Sequence, residues 1–131
     1  MDKEFIPYEQ ALELDELGFD EACLTYYNGR GNTEMYYNTC LDGSGNYRPF
    51  VKHERLTWFG SPLYQQSFRW FREKYGLYTE MFVDDNKTFG YLISSFTGED
   101  RLDKSIKRGF TTYDEAELNC LKELIQIVKN K

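Results

Sequence analysis

The segment Ser61–Gly76 constrains the fold of this chain more than any other part of its sequence, because it carries a start, a stop and an apolar face for one helix. Ser61 as N-cap with Pro62 behind it predicts the start, and Gly76 predicts the end. The aromatic residues between them recur at i, i+4, i+7 and i+11, the spacing of one helix face: Tyr64, Phe68, Phe71 and Tyr75. The stripe predicts either a core contact or one wall of a binding site.

Two further helices are predicted near the ends of the sequence. The first runs from about Pro7 to Leu17, where Gly18 supplies a left-handed residue after the last turn. The last begins with the capping box of Thr112 and Glu115, and two adjacent apolar lines follow it towards residue 128.

Strand-like segments lie between the helices. Aromatic and β-branched stretches at 22–27, 34–41 and 56–59 precede the central helix, and alternating stretches at 78–83 and 88–95 follow it. The turn sequence at 84–87 predicts a hairpin, whereas the charged residues 101–109 predict irregular structure or a weak edge strand. The order α-β-β-(β)-α-β-β-α predicts an α+β fold, with an antiparallel sheet of about four to five strands and three helices.

The composition indicates a single domain over residues 1–131. Aromatic residues make up 18% of the chain, which argues against disorder and gives rings much of the core. The net charge of −6 disfavours binding to DNA or to anionic membranes. The three cysteines, the charged start of the sequence and the absence of a long apolar run predict a cytoplasmic protein with free thiols.

Motifs that carry chemistry are scarce in this sequence. The single histidine, His53, has no orienting carboxylate at a suitable spacing, so a catalytic role is not favoured. The sequence contains no phosphate-binding loop, calcium loop or zinc-ligand spacing, and it therefore predicts neither a metal site nor a cofactor. An enzyme would need a cleft that gathers His53, Cys40 or scattered carboxylates, so we expect a protein without enzymatic activity.

Aromatic residues interleaved with cations are the remaining candidates for a site. Rings stack on nucleobases, and guanidinium groups hold phosphate through paired hydrogen bonds. The candidate ligand-binding residues are Trp58, Tyr64, Arg69, Trp70, Arg72 and Arg108. Trp70 and its two arginine neighbours lie off the aromatic stripe and are better candidates than Tyr64, while Arg108 belongs to a second basic stretch that is expected to be a loop.

Segments at both ends and in the centre of the chain form a familiar pattern. They are Phe5–Ala11, Leu17–Glu21, Ser61–Leu77 and Thr112–Val128, and together they cover roughly half of the sequence. In these segments the chain resembles a group of small uncharacterised proteins encoded by Bacteroidota, their mobile elements and their tailed phages, including crAss-like phages. The resemblance implies a phage or mobile-element source, but no activity, cofactor or catalytic residue.

Two hypotheses for the function follow. By analogy with other small phage proteins, the first is a non-enzymatic accessory protein that sequesters a nucleotide immune signal in the host cytoplasm and so counters host defence. Trp70 or Trp58 would stack a base and the three arginines would hold phosphate; such proteins are commonly homo-oligomers. The alternative is a protein–protein interaction module that binds a host protein through an exposed aromatic patch.

Overall fold

A computed structural model describes residues 4–21, 23–27, 35–37, 59–97 and 101–130. Among these residues the chain forms three helices and six strands. It divides into two compact units, Met1–Leu63 and Tyr64–Lys131. The α+β class and the three predicted helices are confirmed, whereas the single domain over residues 1–131 stays a prediction.

The first unit contains one helix and a small antiparallel sheet. The elements are α1 (Tyr8–Glu16), β1 (Thr25–Tyr27), β2 (Met35–Tyr37) and β3 (Phe59–Ser61). The strand order is β2-β1-β3, so β1 pairs with a neighbour on each side. The ring of Tyr8 on α1 packs against Tyr27 and Phe59, with centroid distances of 5.3 and 5.4 Å, which anchors the helix to the sheet.

The end of α1 follows the sequence prediction. Gly18 has a φ of 99°, the left-handed conformation that glycine adopts without steric cost. The N–H of Phe19 then donates to the carbonyl oxygen of Leu14 at 2.9 Å, and the Phe19 ring is buried. The chain therefore folds back on the last helical turn, as expected for a glycine stop.

The predicted N-cap role of Ser61 is wrong. Ser61 is the last residue of β3, and α2 begins three residues later, at Tyr64. The Ser61 hydroxyl donates to the carbonyl oxygen of Ile6 at 2.8 Å, and its own carbonyl oxygen accepts from the Thr25 hydroxyl at 2.7 Å. The serine is held by residues far away in the sequence, so no local pattern could have reported this role.

The second unit contains two helices and a longer antiparallel sheet. Its elements are α2 (Tyr64–Tyr75), β4 (Leu77–Val83), β5 (Phe89–Thr97), β6 (Arg101–Phe110) and α3 (Tyr113–Lys129). The strand order is β4-β5-β6. The helix α3 packs mainly against the central strand β5, and α2 packs beside the edge strand β4.

Several predictions for this unit are confirmed. Gly76 ends α2 with a φ of 67°. The predicted turn 84–87 lies within the connection 84–88 that joins the hairpin strands β4 and β5. The Thr112 side chain caps α3 by accepting from the N–H of Glu115 at 3.1 Å. The segment predicted as irregular or weakly extended is the ten-residue strand β6. The single sheet of four to five strands is not confirmed, because the six described strands form two three-stranded sheets.

The two faces of the β4–β6 sheet differ in composition. Tyr91 and Ile93 of β5 are buried on the face that meets α3, where the Tyr91 hydroxyl donates to Glu123 at 2.7 Å. Side chains alternate along a strand, so the even-numbered residues of β4 and β5 point to the opposite face. We call this opposite face, with the residues of β6 paired to it, the open face: Tyr78, Glu80, Phe82, Gly90, Leu92, Ser94, Lys104, Ile106 and Arg108.

Candidate functional site

A groove of about 160 Å³ lies between α2 and the start of β4, within the second unit. The described residues that line it are Gln65, Phe68, Arg69, Arg72, Tyr78 and Thr79. We call this feature the α2–β4 groove. It contains two of the predicted ligand-binding residues, Arg69 and Arg72, and both side chains are exposed to solvent.

The local sequence explains how the groove is built. Gln65, Arg69 and Arg72 are spaced at i, i+4 and i+7, so they follow one line along α2. The left-handed turn at Gly76 reverses the chain directly after the helix, and this turn brings the start of β4 alongside that line. Tyr78 and Thr79, at the start of β4, therefore line the groove together with residues of the helix.

The floor and the rim of the groove have different characters. Phe68 is buried and supplies an apolar base, whereas Tyr78 keeps 44% of its surface exposed. The phenol of Tyr78, the amide of Gln65 and the hydroxyl of Thr79 are hydrogen-bonding groups. The groove thus combines two cations and three neutral polar groups with the apolar ring of Phe68 at its base.

The charged residues among those described as lining the groove are both arginines, although the chain as a whole is acidic. Among the described residues that line it, none carries a carboxylate. Arg72 Nη2 lies 4.0 Å from Glu73 Oε1, and both side chains are at least half exposed. An exposed pair at this distance contributes little and leaves the arginine able to change partner.

Trp70 was predicted to bind the ligand, but in the structure its side chain is buried. Trp70 is only 6% exposed, and its ring packs edge-on against Phe71 and Tyr75, with centroid distances of 5.1 and 5.5 Å. The ammonium of Lys74 lies 5.0 Å from the centre of the indole. Trp70 therefore belongs to the core of the unit and offers no open face to a base.

Tyr64 is likewise part of the core. It is 6% exposed and packs against Phe68, with ring centroids 6.1 Å apart. Phe71 on the same stripe is fully buried. Of the two readings of the aromatic stripe, a core contact or a binding wall, the structure supports the core contact, with Phe68 as the member that also reaches the groove.

The last candidate that the structure describes, Arg108, lies apart from the groove. Arg108 is on strand β6, not in a loop as predicted, and its guanidinium carbon lies 5.7 Å from the centre of the Phe82 ring on the open face. Lys104 and Lys107, the other members of that basic stretch, are exposed on the same strand. Trp58, His53 and Cys40 lie outside the described residues.

Sequence reasoning missed four lining residues: Gln65, Phe68, Tyr78 and Thr79. A signal for Gln65 was present, because it shares the helix line of the two arginines. No such signal existed for Tyr78 and Thr79, whose place in the groove depends on how α2 packs beside β4. Phe68 was recognised only as a member of the apolar stripe.

The strongest electrostatic perturbations lie away from the groove, on or beside α3. Burial raises the pKa of Glu117 to about 7, and the neighbouring Asp114 carboxylate adds to that shift. Burial also raises the pKa of Tyr91, whose hydroxyl donates a hydrogen bond to the Glu123 carboxylate, and the pKa of the Cys120 thiol. In the first unit, burial raises the pKa of Cys23 to about 12. Thiols held in this way are poor nucleophiles.

Two features are absent from the part of the chain that the structure describes. No group of three or more His, Cys, Asp or Glu side chains is arranged to hold a metal ion in the part of the chain that the structure describes. Among the helices of the described residues, none has the length and apolar character needed to cross a bilayer.

Comparison of the whole chain with known proteins adds no constraint: no family model, no curated protein and no solved structure matches it. The groove and the open face are therefore the features of the molecule that bear on its function.

Proposed function

We propose that this protein is a non-enzymatic binding protein that captures a phosphate-bearing small molecule in the α2–β4 groove. The observation that carries the proposal is the presence of two exposed guanidinium groups, Arg69 and Arg72, in one groove without a lining carboxylate among the described residues. Guanidinium groups bind phosphate oxygens through short, charge-assisted hydrogen bonds. Such a site needs no metal and no nucleophile to retain an anion.

The biological role that we propose is sequestration of a nucleotide immune signal. It joins the anion groove to the phage or mobile-element source that the sequence resemblance implies, and it would make the protein an anti-defence factor in the host cytoplasm. With Trp70 in the core, Tyr78 takes over as the ring that a base can meet at the rim of the groove. A homo-oligomer, in which a second copy extends the groove, is part of the same proposal.

Isothermal titration calorimetry with the full chain tests this function. The panel contains cyclic di- and trinucleotides, cyclic ADP-ribose products, and linear mono- and dinucleotides. We expect at least one member to bind and to be recovered unchanged, as judged by mass spectrometry of the released ligand. Native mass spectrometry of the purified protein gives the oligomeric state and any small molecule that co-purifies.

A matched pair of variants ties the binding to the groove. Arg69→Ala/Arg72→Ala removes both guanidinium groups, whereas Lys107→Ala/Lys122→Ala removes the same total charge from exposed positions outside the groove. We expect the first variant to lose binding and the second to keep it. No binding across the panel, or equal losses in both variants, would contradict the proposal.

A second candidate function rests on the open face of the β4–β6 sheet. Tyr78 and Ile106 are 44% and 49% exposed there, and Leu92 lies between β4 and β6 on the same face. Lys104 and Arg108 add positive charge on the β6 side. An exposed apolar centre beside cations is complementary to a protein segment that carries both apolar and acidic side chains. The candidate partner is therefore an acidic amphipathic segment of a host protein.

Pull-down from host lysate with wild-type and variant baits separates this function from the first. We expect a host protein that is retained by the wild-type bait to be lost when the bait carries Ile106→Asp. Its retention should not change when the bait carries Arg69→Ala/Arg72→Ala. The mapped contact segment of the partner should contain acidic and apolar residues. A retained protein that is insensitive to Ile106→Asp, or whose contact segment is basic, would exclude the open face as the docking surface.

A further inference from the structure

The outer edge of strand β6 presents backbone groups that no described strand uses. β6 pairs with β5 on one side, and among the described strands none pairs with it on the other. Its residues 101–107 keep an unbroken register with β5, before the register shifts between Phe89 and Tyr91. Every second residue of an edge strand directs its N–H and C=O groups away from the sheet. The edge is therefore long and regular enough to accept a further strand of about five to six residues.

The sequence of β6 is basic although the chain is acidic. Its ten residues include four cations and one carboxylate, whereas the whole chain has a net charge of −6. Lys104, Lys107 and Arg108 are exposed, and none of them forms an ion pair with another described residue. Lysines on an edge discourage pairing with a second copy of the same strand, because like charges would meet. The same cations favour a strand that carries carboxylates.

Arg108 is the best placed of these cations to bind a carboxylate. Its guanidinium carbon lies 5.7 Å from the centre of the Phe82 ring. Two atoms of that ring lie 2.6 and 2.8 Å from the position that a Cβ of Gly90 would take, so the ring rests directly on the backbone of β5. A guanidinium over a ring keeps its N–H donors at the edge of its own plane, where they can form paired hydrogen bonds with a carboxylate. Arg108 can therefore bind an anion without leaving Phe82.

The alternation of side chains along β6 defines what an added strand must carry. Lys104, Ile106 and Arg108 lie at alternate positions on the open face, and Ile106 is 49% exposed. Residues directly opposite each other on neighbouring strands have Cβ atoms about 4.5–5.5 Å apart. Each of these three side chains would thus meet one side chain of the added strand. The matching order is acidic, apolar and acidic at every second position.

We propose that β6 binds an extended acidic segment of a partner protein as a fourth strand of the β4–β6 sheet. Carboxylates of the segment meet Lys104 and Arg108, and an apolar side chain meets Ile106. The inference rests on the second candidate function, since it specifies how an acidic segment docks at the open face. Backbone hydrogen bonds supply the affinity, and the order of side chains supplies the specificity. The other edge strand, β4, is less suited, because its one charged residue is Glu80 and α2 packs beside it.

NMR titration of the full chain with a synthetic peptide tests the proposal. The probe is Thr-Glu-Thr-Val-Thr-Glu-Thr, in which acidic, apolar and acidic side chains alternate with threonine. We expect it to bind. Some amides of residues 101–107, at alternate positions, should exchange rapidly with solvent in the free protein, and saturating peptide should slow them by about tenfold or more.

Two modified peptides test whether the backbone of the probe pairs with β6. One is N-methylated at its odd positions and the other at its even positions. Only one row of N–H groups can face β6, so one modified peptide should bind like the parent and the other should not bind.

Charge variants test the matching order of side chains. Lys104→Glu and Arg108→Glu should each weaken binding by about fivefold, because an attractive cross-strand pair becomes a repulsive one. The double variant should bind a peptide with lysine in place of both glutamates more tightly than the wild type does. Lys122→Glu is the matched control, since it makes the same change of charge at an exposed position of α3 and should leave binding unchanged. Equal affinities in all these variants would overturn recognition of an acidic segment.

The remaining outcomes distinguish strand addition from docking on the open face alone. Equal effects of the two N-methylations, or binding without slower exchange at residues 101–107, overturn strand addition and leave the open face as a docking surface. Slow exchange of all these amides in the free protein also overturns it, because the edge would already be paired with a second copy or with the chain itself. Absence of binding by the acidic peptide overturns it as well, and the pull-down with Ile106→Asp then decides whether the second candidate function survives.

Discussion

Replacement of Glu117 by glutamine should stabilise the second unit at alkaline pH and leave its stability nearly unchanged at acidic pH. Glu117 lies on the buried side of α3 and is only 8% exposed. Burial disfavours the ionised carboxylate, the negative charge of Asp114 adds to the effect, and the pKa of Glu117 rises to about 7 from an ordinary value of 4.5. Glutamine keeps the shape of the side chain without a charge.

The direction of the effect follows from proton binding. The folded state holds the Glu117 proton more tightly than the unfolded state, so the raised pKa favours folding below about pH 4.5. That contribution is lost as the pH rises to about 7. Above this range the wild type carries a buried charge that Glu117→Gln lacks. The stabilising effect of the substitution should therefore appear between pH 4.5 and 7 and remain constant above it.

The magnitude has an upper bound set by the pKa shift. A shift from 4.5 to about 7 corresponds to at most about 3 kcal/mol. Part of the side chain still meets solvent, and the nearby N-terminus of α3 favours negative charge, so we expect roughly half of this value, about 1 to 2 kcal/mol at pH 8. At pH 4.5 the difference should fall below about 0.5 kcal/mol.

Urea unfolding monitored by tryptophan fluorescence measures this difference. In a Trp58→Phe background, the buried Trp70 is the remaining tryptophan and reports on the second unit. Glu115→Gln is the matched control, because Glu115 lies on the same helix and is exposed; it should change the unfolding free energy by less than about 0.5 kcal/mol at either pH. A Glu117→Gln effect that is the same at pH 4.5 and pH 8, or a loss of stability at pH 8, would refute the reasoning.

Three further substitutions test the packing of the second unit. Gly90→Ala would place a Cβ 2.6 Å from a backbone carbonyl oxygen of β6, so urea titration should show a loss of about 1 to 3 kcal/mol; wild-type stability would contradict that close approach. Tyr91→Phe removes the hydrogen bond to Glu123 and should lower the free energy of unfolding by about 1 kcal/mol. A double-mutant cycle with Glu123→Gln measures the coupling energy between the two side chains, and a value of zero would disprove the contribution of the hydrogen bond. Thr112→Ala removes the side-chain acceptor for the N–H of Glu115 and should cost about 1 kcal/mol by thermal unfolding; Thr112→Ser should retain most of the stability, and equal losses in both variants would argue against capping.

Helix ends were predictable from the sequence where they depend on local chemistry. Gly18 and Gly76 end their helices in the left-handed conformation, and Thr112 caps α3 through a group three residues away. Ser61 has the same helix-starting chemistry, but its hydroxyl bonds to Ile6, which lies 55 residues away in the sequence. The prediction failed there because a tertiary contact outweighed a local preference.

The sheets show the same division between local and distant information. The β4–β5 hairpin was predictable because its turn and its alternation are both contiguous in the sequence. Strand β6 was predicted only as one of two alternatives, irregular structure or a weak edge strand, because its many charges resemble a loop. Charged residues are in fact common on edge strands, where they discourage pairing with other chains. The pairing of β1 with both β2 and β3 joins distant segments, so the number of sheets could not be read from the order of elements.

The sequence predicted which cations line the groove, but it did not predict which aromatic rings do. The spacing of Arg69 and Arg72 placed both on the outer side of α2, and both line the groove. Trp70 was expected to share that side because it lies off the aromatic stripe. Its neighbours Phe71 and Tyr75 instead enclose it. One stripe defines the centre of a buried helix face but not its width, and the width depends on what packs against it.

The contact between Gly90 and Phe82 has a consequence for related sequences. The Phe82 ring occupies the space that a side chain at position 90 would fill, and Arg108 lies over the same ring. Positions 82 and 90 should therefore vary together: a relative with a side chain at position 90 should carry a small residue at position 82, and should then have no constraint to keep a cation at position 108.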